Sequence, residues 1–334
     1  MVGGTRFVGR HIALAALDAG HDLTVFHRGR TGSDLFDGQP RVDVRRGDRD
    51  SDLSALAVGE WDAAIDTCAY IPRQVHALAD TLGDRAGHYL QISSVSAYGR
   101  PAHPGVTEDA PLTTLADPTV EEVTEETYGG LKALCEQAAH ERFGPCTIVR
   151  PTYVVGPDDY TWRFPWWVQR IAAGGEVLAP EPAGAPAQVI DVRDMAAWIV
   201  RLVESRAAGA FHAVSPAPAV TGAGLYWFSW GDLLETVRSA VGPAGTALAW
   251  TGHDFLLAER VTDRELPMWS GPAPDGYALA ADPAKAYNAG LAPRPLADTV
   301  RDTLAWTQEQ PMPAGTGLDP SREQDLLRRW RGHR

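Results

Sequence analysis

The sequence predicts an α/β protein in which a doubly wound parallel sheet occupies the first half and a smaller C-terminal lobe follows it. Short apolar runs alternate with helical stretches through residues 1–155. Strands and helices that alternate at this spacing form parallel sheets, because each crossover helix returns the chain to the edge where the previous strand began. From residue 156 to 334 the spacing is irregular, and proline and glycine are frequent. We therefore expect two domains, 1–155 and 156–334, with some segments of the second returning to the sheet.

The individual elements follow from hydrophobic periodicity and from breaker residues. Met1 and Val2 precede a helix predicted at 9–19, which Gly20 ends. The strands predicted after it are Asp22–Phe26, Arg41–Arg45, Ala63–Thr67, His88–Ser93 and Thr147–Val155. Helices are predicted in the second half at 164–173, 194–204, 231–241, 296–307 and after residue 319. Because a strand usually has about five residues, the two-residue start predicts a weak centre of the sheet and not a different fold.

The composition argues against several classes of function. The net charge of −13 repels phosphate backbones, so no nucleic-acid partner is expected. The three cysteines are widely spaced, which argues against a disulfide framework, and no residues have the spacing of metal ligands. No apolar run reaches the roughly 18 residues of a membrane span, and no signal peptide is evident. These features predict a cytoplasmic enzyme with a small-molecule substrate, no catalytic metal and no membrane partner.

A glycine-rich turn at residues 3–9 reads Gly-Gly-Thr-Arg-Phe-Val-Gly and lies between the initial strand and the first helix. In that context it predicts a Rossmann dinucleotide site, because glycine allows a tight turn and the helix start binds a pyrophosphate. Arg6 takes the place of the central glycine of the pattern, where its side chain can reach a phosphate. The residues predicted to contact the cofactor here are Gly3, Thr5, Arg6, Phe7, Val8 and Gly9.

The segment 27–30 predicts which nicotinamide cofactor is preferred. It reads His-Arg-Gly-Arg and lacks the acidic residue that would bind the ribose 2′-hydroxyl of NAD. Arg28 and Arg30 suit a 2′-phosphate, so NADP is favoured while NAD is still allowed. The alternative is a solvated loop with two surface arginines. After the next strand, the Asp48 carboxylate can accept a hydrogen bond from the adenine amino group, and we add Asp48 and Arg49 to the predicted cofactor contacts.

Tyr128 and Lys132 are separated by Gly-Gly-Leu, which places them one turn apart on one face of a helix. A tyrosine is a poor base at neutral pH, and a neighbouring ammonium group favours the phenolate that can accept a proton. Lys132 can also hold the nicotinamide ribose. Ser94 lies where the preceding strand ends and faces the ligand crevice, with Ser93 and Ser96 as the alternatives. We predict Ser94, Tyr128 and Lys132 as the catalytic residues.

Together these residues resemble the extended short-chain dehydrogenase/reductase family, which includes NAD-dependent epimerases and dehydratases. The resemblance covers about residues 1–205, and the glycine turn is similar to that of an atypical branch containing chloroplast stem-loop-binding proteins. In that family an Arg-Pro pair follows the catalytic helix on the next strand, and this chain has Arg150-Pro151 there. The resemblance implies that Pro151 contacts the cofactor. It also makes Asp191 and Asp194, in a segment that enters the second lobe, further candidates.

One departure from the family pattern reduces the number of reactions that the resemblance implies. Nucleotide-sugar 4,6-dehydratases of the family have Asp-Glu directly after the catalytic hydroxyl residue, whereas this chain has Val95 and Ser96. The resemblance therefore implies an oxidoreductase that transfers a hydride at a carbinol or carbonyl carbon of a small polar or sugar-like metabolite. A nucleotide-sugar epimerase is the first alternative, and a non-catalytic cofactor-sensing or RNA-associated protein is the second. A homodimer is expected, because family members commonly pair through the catalytic helix.

The second half contains aromatic-rich segments at 160–167 and 225–230. Aromatic faces suit sugar rings and flat substrates, so these residues are predicted either to line a substrate pocket or to pack the core of the lobe. Arg163 and Arg193 are predicted either to bind an anionic group of the substrate or to form surface salt bridges. The proline- and glycine-rich stretch 214–230 is a candidate lid.

Overall fold

The structure is a computed structural model that describes residues 1–215, 228–269 and 279–333. The first half contains α1 (Phe7–Asp18), β1 (Leu23–His27), β2 (Val42–Arg46), β3 (Ala64–Asp66), α2 (Pro72–Leu82), β4 (Tyr89–Ile92), α3 (Glu125–Phe143), β5 (Thr147–Pro151) and β6 (Tyr153–Val155). The second half contains α4 (Arg163–Ala172), β7 (Glu176–Pro180), β8 (Pro186–Ala187), β9 (Val189–Asp191), α5 (Val192–Glu204), β10 (Gly209–Ala213), β11 (Phe228–Ser229), α6 (Trp230–Val241), β12 (Ala247–Thr251), α7 (His253–Ala258), α8 (Ala284–Asn288), α9 (Leu296–Glu309) and α10 (Pro320–His333).

A parallel sheet in the order β2-β1-Val2-β3-β4-β5-β10 forms the middle of the first half. Val2 supplies its centre by bridging Phe26 of β1 on one side and Asp66 of β3 on the other. The backbone nitrogen of Val2 donates to Ile65 at 2.9 Å, and that of Gly3 donates to Phe26 at 2.9 Å. The doubly wound sheet predicted from the sequence is confirmed, and its centre is the predicted two-residue strand.

Helices cover both faces of this sheet, as a doubly wound fold requires. On one face α1 packs against α5, where Ile12 of α1 is buried with Met195 and Trp198 of α5. On the other face α2 packs against α3, where Leu78 and Ala138 belong to one buried apolar cluster. The strand order reverses at the central strand, so a crevice opens there at the carboxyl ends of the strands.

The segment predicted as one strand, Thr147–Val155, forms two strands that pair with different partners. β5 pairs with β4 and β10 in the sheet, whereas β6 pairs with β9. Pro151 ends β5. Because proline has no N–H group, it cannot donate to a further ladder hydrogen bond, and the chain leaves the sheet there. The first helix begins at Phe7, before its predicted start at residue 9.

The second half builds a lobe and also returns to the sheet. In the lobe β7 pairs with β12 in parallel, and α4, α6 and α9 pack around a tryptophan-rich core. The chain returns to the sheet where β10 pairs with β5 and where α8 packs on β10. No described helix combines the length and the apolar character needed to cross a bilayer. Within the same part of the chain, no group of three His, Cys, Asp or Glu side chains is placed to hold a metal ion.

Candidate active site

The glycine-rich turn follows Val2 at the carboxyl edge of the sheet, and its shape depends on its glycines. Gly3 and Gly4 have positive φ angles of 89° and 115°, which glycine adopts without strain. A Cβ atom on Gly3 would lie 2.2 Å from the Thr67 hydroxyl oxygen, and one on Gly9 would lie 2.6 Å from the Gly4 nitrogen. The turn is therefore a tight cradle where the phosphates of a ligand can approach the backbone closely.

The start of α1 is open to an anion. Arg6 occupies the N-cap position with an extended backbone, and its side chain makes no capping hydrogen bond. The first turn of the helix contains no acidic residue. The first N–H groups of a helix have no partner within the helix, and the helix dipole adds positive charge there. The segment Gly3–Gly9 therefore fits a pyrophosphate group.

The other predicted contacts in this turn differ in exposure. Thr5 and Val8 are half-buried, Phe7 is buried and Arg6 is exposed. The Arg6 guanidinium stacks on the ring of Tyr160, with its central carbon 3.2 Å from the ring centroid. A residue of the second half of the chain therefore contacts the centre of the glycine turn, and no local pattern in the sequence indicates that contact.

Arg28 and Arg30 follow the carboxyl end of β1, and both are exposed. His27 is buried, and its Nδ1 accepts a hydrogen bond of 3.0 Å from the Gly29 nitrogen, which shapes the loop between the two arginines. Arg46, at the end of β2, lies against Gly29, where a Cβ atom would approach its Nη1 to 2.0 Å. The Arg46 guanidinium therefore lies beside the loop that carries Arg28 and Arg30, and Arg46 was absent from the predicted site residues.

Asp48 and Arg49, the remaining contacts predicted near the adenine, are placed differently from each other. Asp48 is half-buried, and its Oδ1 accepts a hydrogen bond of 3.1 Å from the Asp50 nitrogen. Arg49 is buried and donates to the Asp66 carboxylate at 2.7 and 2.9 Å. Burial would raise the pKa of Asp66, but the Arg49 guanidinium holds it below its ordinary value. The Asp66 carboxylate therefore holds both Nη atoms of Arg49, whereas Arg49 Nε is buried with no partner among the residues that the structure describes. The contact of Arg49 with the cofactor stays a prediction.

Tyr128 and Lys132 lie near the start of α3, at the carboxyl edge of the sheet. Lys132 is 3% exposed, and its Nζ donates to the carbonyls of Ala69 at 2.9 Å and Ile92 at 2.8 Å. An ammonium group has three donors, so one N–H remains for a ligand. The Nζ lies 6.0 Å from the centre of the half-buried Tyr128 ring. The structure brings the two predicted residues together where β3 and β4 end.

Ser94 follows β4 in a turn that faces the start of α3. Its Oγ accepts a hydrogen bond of 3.1 Å from the Ser96 nitrogen and so caps this turn. Gly129, beside Tyr128, allows α3 to approach closely: a Cβ atom on Gly129 would lie 2.2 Å from the Ser96 carbonyl oxygen. This packing brings the helix segment of Tyr128 against the turn of Ser94. The sequence pattern does not indicate the role of Gly129.

Ser93, an alternative to Ser94, belongs to a buried polar network. Its hydroxyl donates to the Glu136 carboxylate. Arg150 of β5 donates to the same carboxylate at 3.0 and 2.6 Å. Glu136 is 2% exposed and stands one helical turn beyond Lys132 on α3. The network ties α3 to the ends of β4 and β5, and it engages the Ser93 hydroxyl away from any ligand.

The same network extends from Arg150 to the loop that contains Glu108. Arg150 donates to the Tyr98 hydroxyl, which lies 2.7 Å from Nε2 of His212. The His212 backbone nitrogen donates to the Glu108 carboxylate at 3.0 Å. Burial lowers the pKa of His212 to about 4, so this imidazole is neutral at pH 7. The residues of this network are far apart in the sequence, so no sequence motif indicates them.

Pro151 is buried at the carboxyl end of β5. Thr152 follows it, and the Thr152 hydroxyl is buried with no hydrogen-bond partner among the residues that the structure describes. Buried hydroxyl groups in proteins are normally paired. The unpaired Thr152 oxygen is therefore a group that a ligand beside Pro151 can satisfy.

Residues 1–214 match the sequence profile of the NAD dependent epimerase/dehydratase family. The chain belongs to this family. It is also 26% identical over 210 residues to the chloroplast stem-loop binding protein of 41 kDa b of Arabidopsis thaliana. That match covers 59% of this chain and 52% of the relative, so the chain spans about half the length of the curated relative it matches.

Solved structures share the fold of this epimerase/dehydratase family member. The Bordetella bronchiseptica enzyme WbmH, in complex with NAD+, has a TM-score of 0.66 at 18% identity, covering 92% of this chain and 97% of that one. UDP-glucuronic acid 4-epimerase of Bacillus cereus, in complex with NAD, has a TM-score of 0.63 at 15% identity, covering 94% and 98%. UDP-N-acetylglucosamine 4-epimerase of Methanobrevibacter ruminantium M1 has a TM-score of 0.67 at 15% identity, covering 93% and 97%. At these identities the likeness establishes the fold and confirms the predicted fold class.

The aromatic residues of the second half mostly pack the core in this epimerase/dehydratase family member. Trp162, Trp166 and Trp167 are each at most 3% exposed. Trp230 is also buried, but it lines a pocket of the lobe. Residues 216–227, which include most of the candidate lid and part of the second aromatic segment, lie outside the described residues.

Asp191 and Asp194, which the epimerase/dehydratase resemblance suggested, and Arg193, which was predicted from its charge, all form ion pairs within the fold. Arg193 pairs with Asp191 at 2.7 Å and with Asp302 at 2.6 Å. Asp194 accepts a hydrogen bond of 2.8 Å from Arg294. Asp191 in addition caps the start of α5. These residues therefore hold the lobe together by salt bridges, which was one of the two roles predicted for Arg193.

The pocket of the lobe holds about 390 Å³ of empty space, including its open mouth. Its lining includes Tyr153, Glu181, Trp230, Met268 and Trp269, and it contains no lysine or arginine among the residues that the structure describes. The indole N–H groups of Trp230 and Trp269 are buried and have no hydrogen-bond partner in that part of the chain. The pocket therefore offers aromatic faces and two free N–H donors to a ligand.

Proposed function

We propose that this protein is an NAD(P)-dependent oxidoreductase that transfers a hydride at a carbinol or carbonyl carbon of a small polar or sugar-like metabolite. The observation that carries the proposal is the Lys132 ammonium group, held by the carbonyls of Ala69 and Ile92 beside the Tyr128 ring. A phenol can exchange a proton with a substrate oxygen, and the buried ammonium group one helical turn along the helix has a fixed position beside it. Membership of the NAD dependent epimerase/dehydratase family supports this assignment.

The cofactor in this proposal is NADP, with NAD as the weaker ligand. The glycine turn suits a pyrophosphate because its cradle has no room for a Cβ atom and the helix start is uncapped. Arg28 and Arg30 are exposed beside β1, where they can bind a 2′-phosphate. Asp48 keeps its second carboxylate oxygen for the adenine amino group. When bound, the nicotinamide supplies the carbon that donates or accepts the hydride.

In the proposed reaction the protein orients the substrate and moves one proton. The Ser94 and Tyr128 hydroxyl groups bind the substrate oxygen. In oxidation the Tyr128 oxygen takes the hydroxyl proton, and in reduction it gives a proton to the carbonyl oxygen. Lys132 stabilises the phenolate and has one N–H left for a ribose hydroxyl. Because Val95 and Ser96 supply no carboxylate, a 4,6-elimination is not part of the proposal.

Titration with NADPH and with NADH tests the cofactor assignment. Wild-type protein should bind NADPH at least about ten-fold more tightly, because hydrogen bonds to a charged phosphate contribute roughly 1.5–3 kcal/mol each. The double variant Arg28→Ala/Arg30→Ala should bind the two cofactors equally. Arg328→Ala, which removes one exposed positive charge on α10, is the control. Equal wild-type affinities would contradict the NADP preference, and no binding of either cofactor would contradict the function.

Replacement of Tyr128 by phenylalanine tests the catalytic assignment. NADPH consumption is followed with a panel of aldoses, ketoses and hydroxyketones, and the variant is compared with wild type on every compound that wild type reduces. Turnover should fall by at least about 100-fold, the usual contribution of a general acid or base. The dissociation constant for NADPH should stay the same. A variant that keeps the wild-type rate would remove Tyr128 from the mechanism.

A nucleotide-sugar epimerase is the second candidate, because two solved structures with this fold are named as UDP-sugar 4-epimerases. The described lining of the lobe pocket argues against it, since it includes Glu181 and no basic residue. A sugar diphosphate usually needs cationic partners. A substrate deuterated at the carbinol carbon and supplied with oxidised cofactor separates the two reactions. Net oxidation leaves the deuterium in reduced cofactor, whereas epimerisation returns it to the sugar and leaves the cofactor oxidised after each turnover.

A non-catalytic RNA-associated protein is the third candidate, favoured by the name of the Arabidopsis relative at 26% identity. The net charge of −13 opposes it, because RNA binding depends largely on neutralising phosphates. We therefore propose a cytoplasmic enzyme with a small-molecule substrate and no nucleic-acid or membrane partner. A gel-shift titration with a stem-loop RNA checks this. The homodimer expected through α3 is checked by light scattering after size exclusion.

A further inference from the structure

Arg6 stands at the centre of the glycine turn, and its side chain rests on a residue from the second half of the chain. Its guanidinium carbon lies 3.2 Å from the centre of the Tyr160 ring, and Phe7 meets that ring edge-on at 6.3 Å. Tyr160 is 44% exposed, so the stack lies at the surface and not in the core. Tyr160 therefore lies beside the glycine turn.

The stack leaves the hydrogen-bonding edge of Arg6 free. A guanidinium group on an aromatic ring uses its face, while its N–H donors lie in its own plane and still point outward. The Arg6 side chain makes no hydrogen bond and no ion pair within the described part of the chain. The side chain can therefore rest on Tyr160 and bind an anion at the same time. Because the ring already restricts it, Arg6 loses less conformational freedom when it binds.

Two carboxylates directly precede Tyr160. Asp159 is buried and accepts a hydrogen bond of 3.0 Å from the Thr161 nitrogen, and Asp158 contacts α1. Asp158, two residues before Tyr160, pairs with Arg10 at 2.9 Å. Its second oxygen lies 3.1 Å from Nε2 of His11. The Arg10 guanidinium offsets the negative charge of Asp158, which would repel a phosphate. The two contacts also fasten the segment that carries Tyr160 to the helix whose start forms the proposed pyrophosphate site.

We infer that Tyr160 is a positioning residue that holds Arg6 with its N–H edge toward the pyrophosphate of the bound dinucleotide. The second half of the chain then contributes to cofactor affinity through one ring, with no direct contact between that ring and the phosphates. This inference rests on the proposed function, because it takes a nicotinamide dinucleotide as the ligand. In this inference Arg6 contacts the pyrophosphate, and Tyr160 changes the affinity for the cofactor only through Arg6.

Calorimetric titration with NADPH, ADP and adenosine 2′-monophosphate tests the inference on purified full-length variants. Arg6→Ala should weaken the binding of NADPH and ADP by about ten-fold or more, the size of a lost charge-assisted hydrogen bond. Tyr160→Ala should weaken the same two ligands about three- to ten-fold, the size of a cation–π contact. Neither variant should change the affinity for adenosine 2′-monophosphate, which has no pyrophosphate. Tyr160→Phe keeps the aromatic ring and should bind like wild type.

The double variant Arg6→Ala/Tyr160→Ala makes the test specific, because residues that act through one contact are not additive. It should bind NADPH no more weakly than Arg6→Ala. Arg328→Ala is the charge-matched control, and circular dichroism checks that every variant is folded. Additive losses, or an equal loss for adenosine 2′-monophosphate, would overturn the inference. Unchanged NADPH binding by Tyr160→Ala would overturn it and leave the proposed function intact, whereas failure of wild type to bind any dinucleotide would overturn both.

Discussion

Addition of one methyl group at Gly129 tests whether the contact between α3 and the Ser94 turn sets the geometry of the site. A Cβ atom at Gly129 would lie 2.2 Å from the Ser96 carbonyl oxygen, and real Cβ atoms essentially never come closer than 3.0 Å. The helix and the turn must therefore separate by about 0.8 Å, the difference between 3.0 and 2.2 Å. The Ser96 carbonyl oxygen belongs to the backbone, and the added Cβ atom is bonded directly to the helix backbone. No flexible side chain can therefore absorb the shift.

The expected loss of stability follows from two opposing effects. Overpacking of a tight contact costs about 1–3 kcal/mol. Alanine is favoured over glycine inside a helix by about 0.8–1 kcal/mol. Gly129→Ala should therefore lower the free energy of unfolding by up to about 2 kcal/mol. A displacement close to 1 Å between Ser94 and Tyr128 should also lower turnover on the order of 100-fold. NADPH affinity should fall much less than turnover, because the glycine turn is not moved.

Urea unfolding followed by circular dichroism measures the change in stability. Gly332→Ala is the matched control: Gly332 also lies in a helix, but a Cβ atom there meets nothing within 4 Å. That variant should be as stable as wild type or slightly more stable. If Gly129→Ala kept both the unfolding midpoint and the turnover of wild type, the close packing of α3 on the Ser94 turn would not control the site.

Three further predictions concern buried charges. Glu136→Gln leaves Arg150 without its anionic partner and should lower the free energy of unfolding, measured by urea unfolding, by about 3–5 kcal/mol. A loss below about 1 kcal/mol would contradict the pairing. Arg49→Met leaves Asp66 unpaired and should lower the free energy of unfolding by a similar amount. The folded variant should bind NADPH like wild type, and a loss of affinity at full stability would identify Arg49 as a cofactor contact. Burial lowers the pKa of His212 from 6.5 to about 4, so this residue is neutral when folded and is protonated more readily on unfolding. Stability should therefore fall as the pH drops from about 6.5 toward 4, and His212→Gln should flatten that slope in pH-dependent melting curves, whereas an unchanged slope would exclude His212 as its source.

Features whose residues are neighbours in the chain could be predicted from the sequence. Alternation of strands and helices predicts the doubly wound sheet, because periodicity is a local property. The glycines of residues 3–9 predict the tight turn, because positive φ angles favour that residue type. A four-residue spacing puts Tyr128 and Lys132 on one helix face. The exception was the segment Thr147–Val155, which was predicted as one strand although the chain changes its strand partner at Pro151.

The packing of helices on turns could not be predicted in the same way. In the sequence Glu136 is one acidic residue of a predicted helix. In the structure Ser93, after β4, and Arg150, on β5, both donate hydrogen bonds to it. Gly129 reads as a weak point in a helix, yet it is the place where α3 touches the Ser96 carbonyl. Both roles depend on which segments lie opposite each other after folding.

The sequence by itself therefore determined the chemical types at the site and the elements that carry them. Only the tertiary structure decided which of those groups are available to a ligand. Arg49 has a charge that suits a phosphate, but Asp66 holds it inside the fold. Arg6 has the same charge and rests on the face of Tyr160, which leaves its donors free. The physical reason is that ion pairing and stacking depend on distances of a few ångströms between residues far apart in the chain, and no local period encodes those distances.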